Sequence, residues 1–331
     1  MTAPVAGLKG LRRIQIGKET TFGSDHAATA RLIGRLDMSP DYKMYRPDDT
    51  ETGRLSSFER SDIVGTMAKM SFESDANYEQ LAYLLGMSII GGVTPTGGGS
   101  PYSWAFTPNL STINAPDTYT FEYGDDHQAY QSTGCFAKSL ELSGQIDDVV
   151  KVKADIVGQA VAAISFTDSL ANPTALNPVK ADMGKLYIDS SWANLGSTAK
   201  ENTLVDFSWK ISEGIKPIKK LDGSLAYADR VETKRHIELD MTLGHNSVYD
   251  TLLTAFLAQS KVFVQLKFTG PAITGGTDIL VLNGCYVLDN PDSLNDQEGQ
   301  DTVKVKLVSI YDPTGDKEWS VVLTNALASM P

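Results

Sequence analysis

The sequence has few of the residues that build metal sites and no segment that could cross a membrane. Among 331 residues there are two cysteines and four histidines, and no two histidines lie at metal-ligand spacing. No apolar run approaches the roughly 20 residues that a spanning helix needs. The N-terminus lacks the charged-then-apolar pattern of a secretory signal. These absences predict a chain that folds in a cytoplasm and is not inserted in a membrane.

Basic charge is also scarce. The formal net charge is −12, from 29 basic and 41 acidic residues, and the deficit is spread over both halves of the chain. Affinity for phosphate backbones comes mainly from lysine and arginine. The composition therefore argues against tight wrapping of nucleic acid, although an acidic surface can serve a passing nucleic acid by repelling it.

Motifs for catalysis and cofactor binding are missing as well. The sequence has no HExxH and no GxSxG, and the glycine-rich stretch 91–101 lacks the lysine of a phosphate loop. Asp125-Asp126-His127 could ligate a cation, but a hairpin turn predicts the same residues. The acidic stretch 289–301 misses the ligand spacing of a calcium loop, so an exposed loop is favoured over weak calcium binding. We predict no catalytic residue, no metal and no cofactor.

The chain is organised around a strand followed by a helix that occurs twice. In Thr66 to Gly86, apolar residues alternate with polar ones and then recur at helical spacing at Tyr78, Leu81 and Leu85. Gly86 is predicted to end the helix. The same pattern returns at 237–257, where Ser247 followed by Asp250 predicts an N-terminal cap.

Other segments repeat in the same order in the second half. Strands are predicted at Leu11–Ile16 and Ala30–Met38, and a closing strand at Glu318–Thr324. The paired segments are LRRIQI with KLYI, 30–38 with LVDFSWKI, YTFEY with VFVQLKF, Gly134-Cys135 with Gly284-Cys285, and VKVK at 150–153 with VKVK at 303–306. The two cysteines thus hold equivalent places, which favours small buried residues over a mutual disulfide.

These patterns predict a mainly β chain built as a domain duplication. Each unit has about six or seven strands and one helix, which cannot supply the crossovers of a parallel sheet. We predict two tandem antiparallel β-sandwich or barrel domains, 1–167 and 182–331, each with one flanking helix. A proline- and asparagine-rich linker at 168–181 joins them.

Each unit also carries a long charged loop, at 40–65 and at 212–233. Such loops are uncommon inside a compact domain and usually have a function. The alternative is a long exposed hairpin without a role. Mixed charges in the first loop suit a polar contact with a partner. The residues predicted for that contact are Arg46, Asp48, Asp49, Arg54, Glu59 and Arg60.

Together these features resemble the tail tube (major tail) proteins of long-tailed bacteriophages. The resemblance rests on the strand run before the long loop, on the strand–helix element, and on residues 118–158, with their aromatic strand, Gly-Cys step and final strand ending in glycine. It implies a structural virion protein, assembled in the host cytoplasm, whose rings stack into a hollow tail tube that conducts DNA during ejection. Single-domain members form six-membered rings, so two domains per chain imply homotrimeric, pseudo-hexameric rings. The resemblance further implies that the long loops reach neighbouring subunits, with the charged residues of the loop 40–65 in the contact between stacked rings.

The resemblance also implies partners. These are other copies of the chain, the tape measure, tail terminator and tip proteins of the tail, and DNA that passes without tight binding. An alternative is a tandem β-sandwich binding module, such as an adhesin or a carbohydrate-binding tail protein, which the tyrosines and four tryptophans permit. An enzyme, for example a hydrolase, is a third reading without a supporting motif.

Overall fold

A computed structural model describes residues 6–48, 52–55, 57–174, 176–212, 214–289, 291–297 and 299–330. The chain is mainly β, with 48% of its residues in strands and 9% in helices, and its large antiparallel sheets are consistent with a β-sandwich. The prediction of a mainly β fold is thereby confirmed. Within the described ranges, no helix is long and apolar enough to cross a membrane.

Among its described residues, the first half contains eleven strands and one α-helix. In chain order they are β1 (Arg13–Lys18), β2 (Ala30–Leu32), β3 (Arg35–Pro40), β4 (Lys43–Tyr45), β5 (Asp62–Gly65), β6 (Ala68–Asp75), α1 (Leu81–Ser88), β7 (Tyr102–Phe106), β8 (Tyr119–Gly124), β9 (Ala129–Gln145), β10 (Lys151–Gly158) and β11 (Ala162–Ile164).

The part of the second half that the structure describes again contains eleven strands and one α-helix. They are β12 (Gly184–Asp189), β13 (Ala199–Lys200), β14 (Leu204–Ile211), β15 (Ile215–Ile218), β16 (Asp229–Glu232), β17 (Ile237–Gly244), α2 (Ser247–Leu257), β18 (Val262–Ile273), β19 (Gly276–Leu288), β20 (Asn295–Gln297), β21 (Gln300–Ser309) and β22 (Trp319–Asn325).

The two halves have the same order of paired strands. In the first half the order is β1-β8-β9-β10-β6-β3, and in the second it is β12-β18-β19-β21-β17-β14, all antiparallel. Smaller strands also correspond, since β2 and β13 lie beside β1 and β12, while β11 and β22 lie beside β9 and β19. The sequence repeat therefore has a counterpart in topology.

One predicted strand is divided in two. The stretch Ala30–Met38 forms β2 and β3, which separate at Gly34. Gly34 has φ +156°, and a β-carbon there would lie 2.8 Å from the carbonyl oxygen of Glu73. Only glycine fits this close approach without displacing the neighbouring backbone.

The boundaries of both helices differ from the predicted ones. Gly86 does not end α1: the helix continues to Ser88. All eight residues of the helix are buried. The side chain of Asn246, not that of Ser247, caps α2 by accepting a hydrogen bond of 2.9 Å from the backbone N–H of Val248. Asn246 has extended backbone angles, as an N-cap requires, whereas Ser247 is already helical.

The strand β9 carries the chain from one sheet to the other. Its first part pairs with β8 and its second part with β10, and both ladders shift register at a bulge. Bulges and bends are the usual means by which a strand changes sheets in a sandwich. The length of β9, 17 residues, thus makes it common to both layers.

A buried carboxyl group of the second half accepts a hydrogen bond from the segment that connects the halves. Asp278 is fully buried, and its Oδ2 accepts a hydrogen bond of 2.8 Å from Asn177 Nδ2, while its Oδ1 has no partner among the described residues. Burial raises the pKa of Asp278. An acid whose pKa is higher in the folded than in the unfolded state destabilises the fold once the pH exceeds its unfolded value, near 4.

We therefore expect Asp278→Asn to raise the free energy of unfolding at pH 7. The gain should disappear below about pH 3, where the carboxyl group is protonated in both states. Urea unfolding at the two pH values measures the difference, with exposed Asp62→Asn as the control. A variant that is less stable than the parent at pH 7 would contradict the expectation.

Candidate assembly surfaces

The second part of β9 joins the two halves edge to edge. Residues 140–145 of β9 pair with residues 211–206 of β14 in antiparallel register, and they also pair with β10 on their other side. Trp209 and Leu142, which are opposite one another, are both fully buried. The result is one sheet with the strand order β3-β6-β10-β9-β14-β17-β21-β19.

This eight-stranded sheet has two open ends. At one end, β3 pairs with β6 on its inner side, and no strand in the described part of the chain pairs with its outer side. At the other end, the chain after β19 continues along β21, with Asp289 N–H donating to Lys306 O (2.8 Å) and Asp292 N–H to Lys304 O (3.1 Å), and ends in β20. Unpaired edges are templates for strand addition.

One face of the sheet is apolar and buried, and the other is polar and exposed. The valines at 150, 152, 303 and 305 point into the core, while the lysines between them point outward, as the alternation predicts. The polar face carries near-equal numbers of basic and acidic side chains: Arg35, Lys69, Lys151, Lys153, Lys210, Lys304 and Lys306, with Asp37, Glu73, Asp75, Glu141, Asp155, Asp206, Glu238 and Asp240.

Several of these charges pair across neighbouring strands. Lys151 Nζ lies 2.7 Å from Asp75, Lys153 Nζ 3.2 Å from Glu73, and Lys306 Nζ 3.3 Å from Glu238. Exposed pairs of this kind contribute up to about 1 kcal/mol each. Their main effect here is to make the face mixed in charge, and not strongly acidic.

The loop predicted for ring contacts contains a two-stranded sheet of its own, and at its base the Thr66 N–H donates to the Leu225 carbonyl oxygen of the loop 212–236 at 2.9 Å. We call residues 41–67 arm 1; it runs from β3 to β6 and contains the β4–β5 pair. Arg46 donates to Ser61 Oγ (3.3 Å), and Arg54 lies 3.8 Å from Glu59. Asp48 and Arg60 are exposed on the same hairpin. The predicted Asp49 lies outside the described residues.

Arm 1 also exposes apolar side chains that the charge-based interpretation overlooked. Large fractions of their surfaces face solvent, namely 41% for Met44, 50% for Tyr45, 55% for Phe58, 42% for Ile63 and 45% for Val64. These residues were visible in the sequence but have no regular period. A run of exposed apolar residues on one hairpin is typical of an interaction surface.

The corresponding loop of the second half packs against the first half. We call residues 212–236 arm 2; it runs from β14 to β17 and contains the β15–β16 pair. Its Ile215 and Tyr227 are buried against Phe136 and Val157 of the first half. Tyr227 Oη donates to the Gly134 carbonyl oxygen (2.8 Å). The aromatic core of arm 2 therefore fastens it to the other half.

Polar contacts extend this attachment. Arg235 donates to the carbonyl oxygens of Ser88 (2.6 Å) and Ile89 (3.0 Å), at the C-terminal end of α1. A cation is stabilised there by the helix dipole and by carbonyl groups without intrahelical partners. Glu232 accepts hydrogen bonds from Asn114, and Arg230 stacks over the ring of Phe22.

The residues considered above for cation binding form hydrogen bonds that stabilise turns and loops. Asp125 accepts hydrogen bonds from the backbone N–H groups of His127 and Gln128, and Asp126 accepts one from Leu8. In the acidic stretch 289–301, Asp296 accepts one from Gly299 at a hairpin turn. Across the described ranges, no group of three His, Cys, Asp or Glu residues could hold a metal ion.

The two cysteines are buried free thiols at equivalent places. Cys135 pairs across β8 with Tyr119, and Cys285 pairs across β18 with Phe263. Burial raises the pKa of both thiols, that of Cys285 to about 11. Since the thiolate is the reactive form, these cysteines are unreactive core residues.

Comparison with known proteins gives one family. No curated protein matches the chain. A family model described as phage tail tube protein matches residues 11–306, which cover most of both halves and include both arms. The chain therefore belongs to the phage tail tube protein family and is a structural component of the virion tail.

Proposed function

We propose that three copies of this chain close into a pseudo-hexameric ring, and that such rings stack into the tail tube. In this proposal residues 1–167 and 182–331 are two copies of one tube domain, joined by residues 168–181. The equal strand order of the two halves supports the duplication. The role is structural, and the tube's lumen conducts DNA during ejection.

The observation that carries the ring is the β9–β14 junction. It joins the edge strand of the second half, β14, to the strand β9 of the first half. The counterpart of β14 in the first half is β3, and the counterpart of the second part of β9 is the segment from Leu288 to β20. Those are the two open ends of the sheet. A second copy can therefore form, between two chains, the same kind of strand pairing that β9 and β14 form within one chain.

Repetition of this contact closes on itself. Each chain supplies one junction internally and one to its neighbour, so three chains give six units related by six similar contacts. Head-to-tail contacts close into a ring when the rotation per contact divides a full turn. Closure also removes every open edge of the eight-stranded sheet, and with it the tendency to pair with unrelated chains.

In such a ring the polar face of the sheet lines the lumen. Three of its lysines, Lys151, Lys153 and Lys306, are already paired with carboxylates on neighbouring strands, so fewer cations remain to exchange for the counterions of DNA. A lining of mixed charge neither binds DNA tightly nor repels it strongly. Passage without retention follows from this balance.

The charged side chains of arm 1 are proposed to form contacts between stacked rings. Arg46, Asp48, Asp49, Arg54, Glu59 and Arg60 supply both signs of charge, as a polar stacking contact requires. The tape measure, terminator and tip proteins would meet the same tube at its interior and its ends, with assembly in the host cytoplasm.

Native mass spectrometry and electron microscopy of the purified chain test the ring. The chain mass is 35.8 kDa, so we expect rings of about 107 kDa and hollow tubes with regular striations. A six-chain ring of about 215 kDa would overturn the pseudo-hexamer. Particles that remain monomeric at high concentration in every buffer would overturn the tube itself.

A further inference from the structure

We infer that arm 1 docks on the second half of the neighbouring chain, at the place where arm 2 lies on the first half of its own chain. The partner is a second copy of this protein. The inference rests on the three-chain ring proposed above and adds to it a specific contact outside the sheet.

The two arms occupy equivalent places in the fold. Arm 1 leaves the sheet from β3 and returns at β6, and arm 2 leaves from β14 and returns at β17. Each contains a two-stranded antiparallel hairpin, β4–β5 or β15–β16. They differ in surroundings: Ile215 and Tyr227 of arm 2 are 1% and 0% exposed, whereas Met44, Tyr45, Phe58, Ile63 and Val64 of arm 1 are 41–55% exposed.

Arm 2 is held at three points on the first half. Phe22, in the turn after β1, packs against Tyr227 with ring centroids 5.8 Å apart. Gln159, just beyond β10, donates from Nε2 to the Tyr227 carbonyl oxygen at 3.0 Å. The end of α1 receives Arg235.

The second half has a residue at each equivalent point, and two of the three are exposed. Trp192, in the turn after β12, is half-buried, with its ring packed against Phe263 at 5.8 Å between centroids. Tyr311, just beyond β21, is 44% exposed, and Leu257, the last residue of α2, is 76% exposed. These points form the docking surface for arm 1.

The chain's own arm 1 is badly placed for this surface. It leaves the eight-stranded sheet from β3, at the end opposite the open edge of the second half, whereas in the proposed ring β3 of the next chain lies beside that edge. The neighbour's arm 1 then has the same position on the second half that arm 2 has on the first half. Its apolar residues cover Leu257, and both surfaces lose their contact with water.

Cross-linking in mixed assemblies tests the contact directly. One chain carries Val64→Cys on arm 1, the other carries Leu257→Cys, and a flexible bis-maleimide is added after tubes have formed. Cys135 and Cys285 are buried and do not compete. We expect a two-chain product from the mixture. Val64→Cys mixed with Leu110→Cys, an exposed position beside the docked arm 2, is the matched control and should give none.

Substitution supplies a second readout. Leu257→Glu places a charge in the apolar contact, and we expect ring formation to need at least about tenfold more protein, as for a central interface residue, with the monomer equally stable. Leu110→Glu should assemble as the parent does. Three-chain rings that form normally from Leu257→Glu and give no Val64–Leu257 product would overturn the docking site and leave the ring intact. Failure of the parent to form rings would overturn the proposed function instead.

Discussion

Replacing residues 43–60 with a short Gly-Ser linker is expected to give a folded, soluble chain that assembles no tubes. The replaced segment includes the charged residues proposed for ring stacking and the apolar residues Met44, Tyr45 and Phe58. Without them, neither contact of arm 1 forms. Electron microscopy and sedimentation of the variant at concentrations where the parent forms tubes measure the effect.

The fold should survive because the segment contributes little to the core. The β4–β5 pair is a separate two-stranded sheet, and both Leu55 and Phe58 face solvent. Shortening an exposed loop changes its closure entropy by less than about 1 kcal/mol. Circular dichroism and urea unfolding should therefore match those of the parent. Tubes of normal appearance from this variant would refute the role of arm 1 in assembly.

Separate variants test the two proposed contacts of arm 1, the charged contact between rings and the apolar contact with a neighbouring chain, one at a time. Neutralising its charged residues should leave rings that no longer stack. Because contacts between exposed charges are screened by salt, the parent's stacking should weaken in the same way at high ionic strength. If charge neutralisation leaves stacking unchanged in both low and high salt, those residues do not carry it.

Tyr227→Ala is expected to destabilise the folded chain by about 3–5 kcal/mol, the range for truncating a buried aromatic side chain. Tyr227 is fully buried, lies edge-on to Phe136 at 6.0 Å between ring centroids, and donates to the Gly134 carbonyl oxygen. The substitution leaves a cavity and an unsatisfied acceptor. It should also loosen arm 2 from the first half, which hydrogen exchange can follow.

Two further substitutions separate the contribution of the hydrogen bond from that of the buried ring. Tyr227→Phe keeps the ring and removes the hydrogen bond, and should cost about 1 kcal/mol. Tyr45→Ala removes a tyrosine from arm 1 that is half exposed and should change stability by less than about 0.5 kcal/mol. Urea unfolding measures all three. Equal losses from Tyr227→Ala and Tyr45→Ala would contradict the buried attachment of arm 2.

Local patterns in the sequence located the longer strands and the inward or outward direction of their side chains, but they predicted about six or seven strands per unit, whereas the described residues of each half form eleven. The predicted strand 204–211 coincides with β14, and the predicted closing strand lies within one residue of β22. Alternation has this power because every second side chain of a strand faces the same side. Helix ends were less well predicted, because the cap depends on backbone angles that neighbouring residues such as Asn246 and Ser247 can both adopt.

The assembly surfaces depended on information that is not local. The pairing of β9 with β14 joins residues more than 60 positions apart, and neither strand's pattern names its partner. The pairing of β7 with β22, where Trp104 donates to Asn325 Oδ1 at 3.1 Å, is still more distant. Hydrophobic alternation predicts which face of a strand is buried, but it does not predict which other strand pairs with its edge.

The sequence by itself determined which segments alternate as strands, and it predicted that one unit occurs twice, with strands, helix and long loop in the same order. Only the tertiary structure decided that the two long loops differ, one packed against Phe136 and Gly134 and the other with exposed apolar residues. The reason is geometric. Arm 2 has a first half beside it in the same chain, whereas the equivalent surface for arm 1 lies at the far end of the sheet, where the proposed ring would place a neighbouring copy.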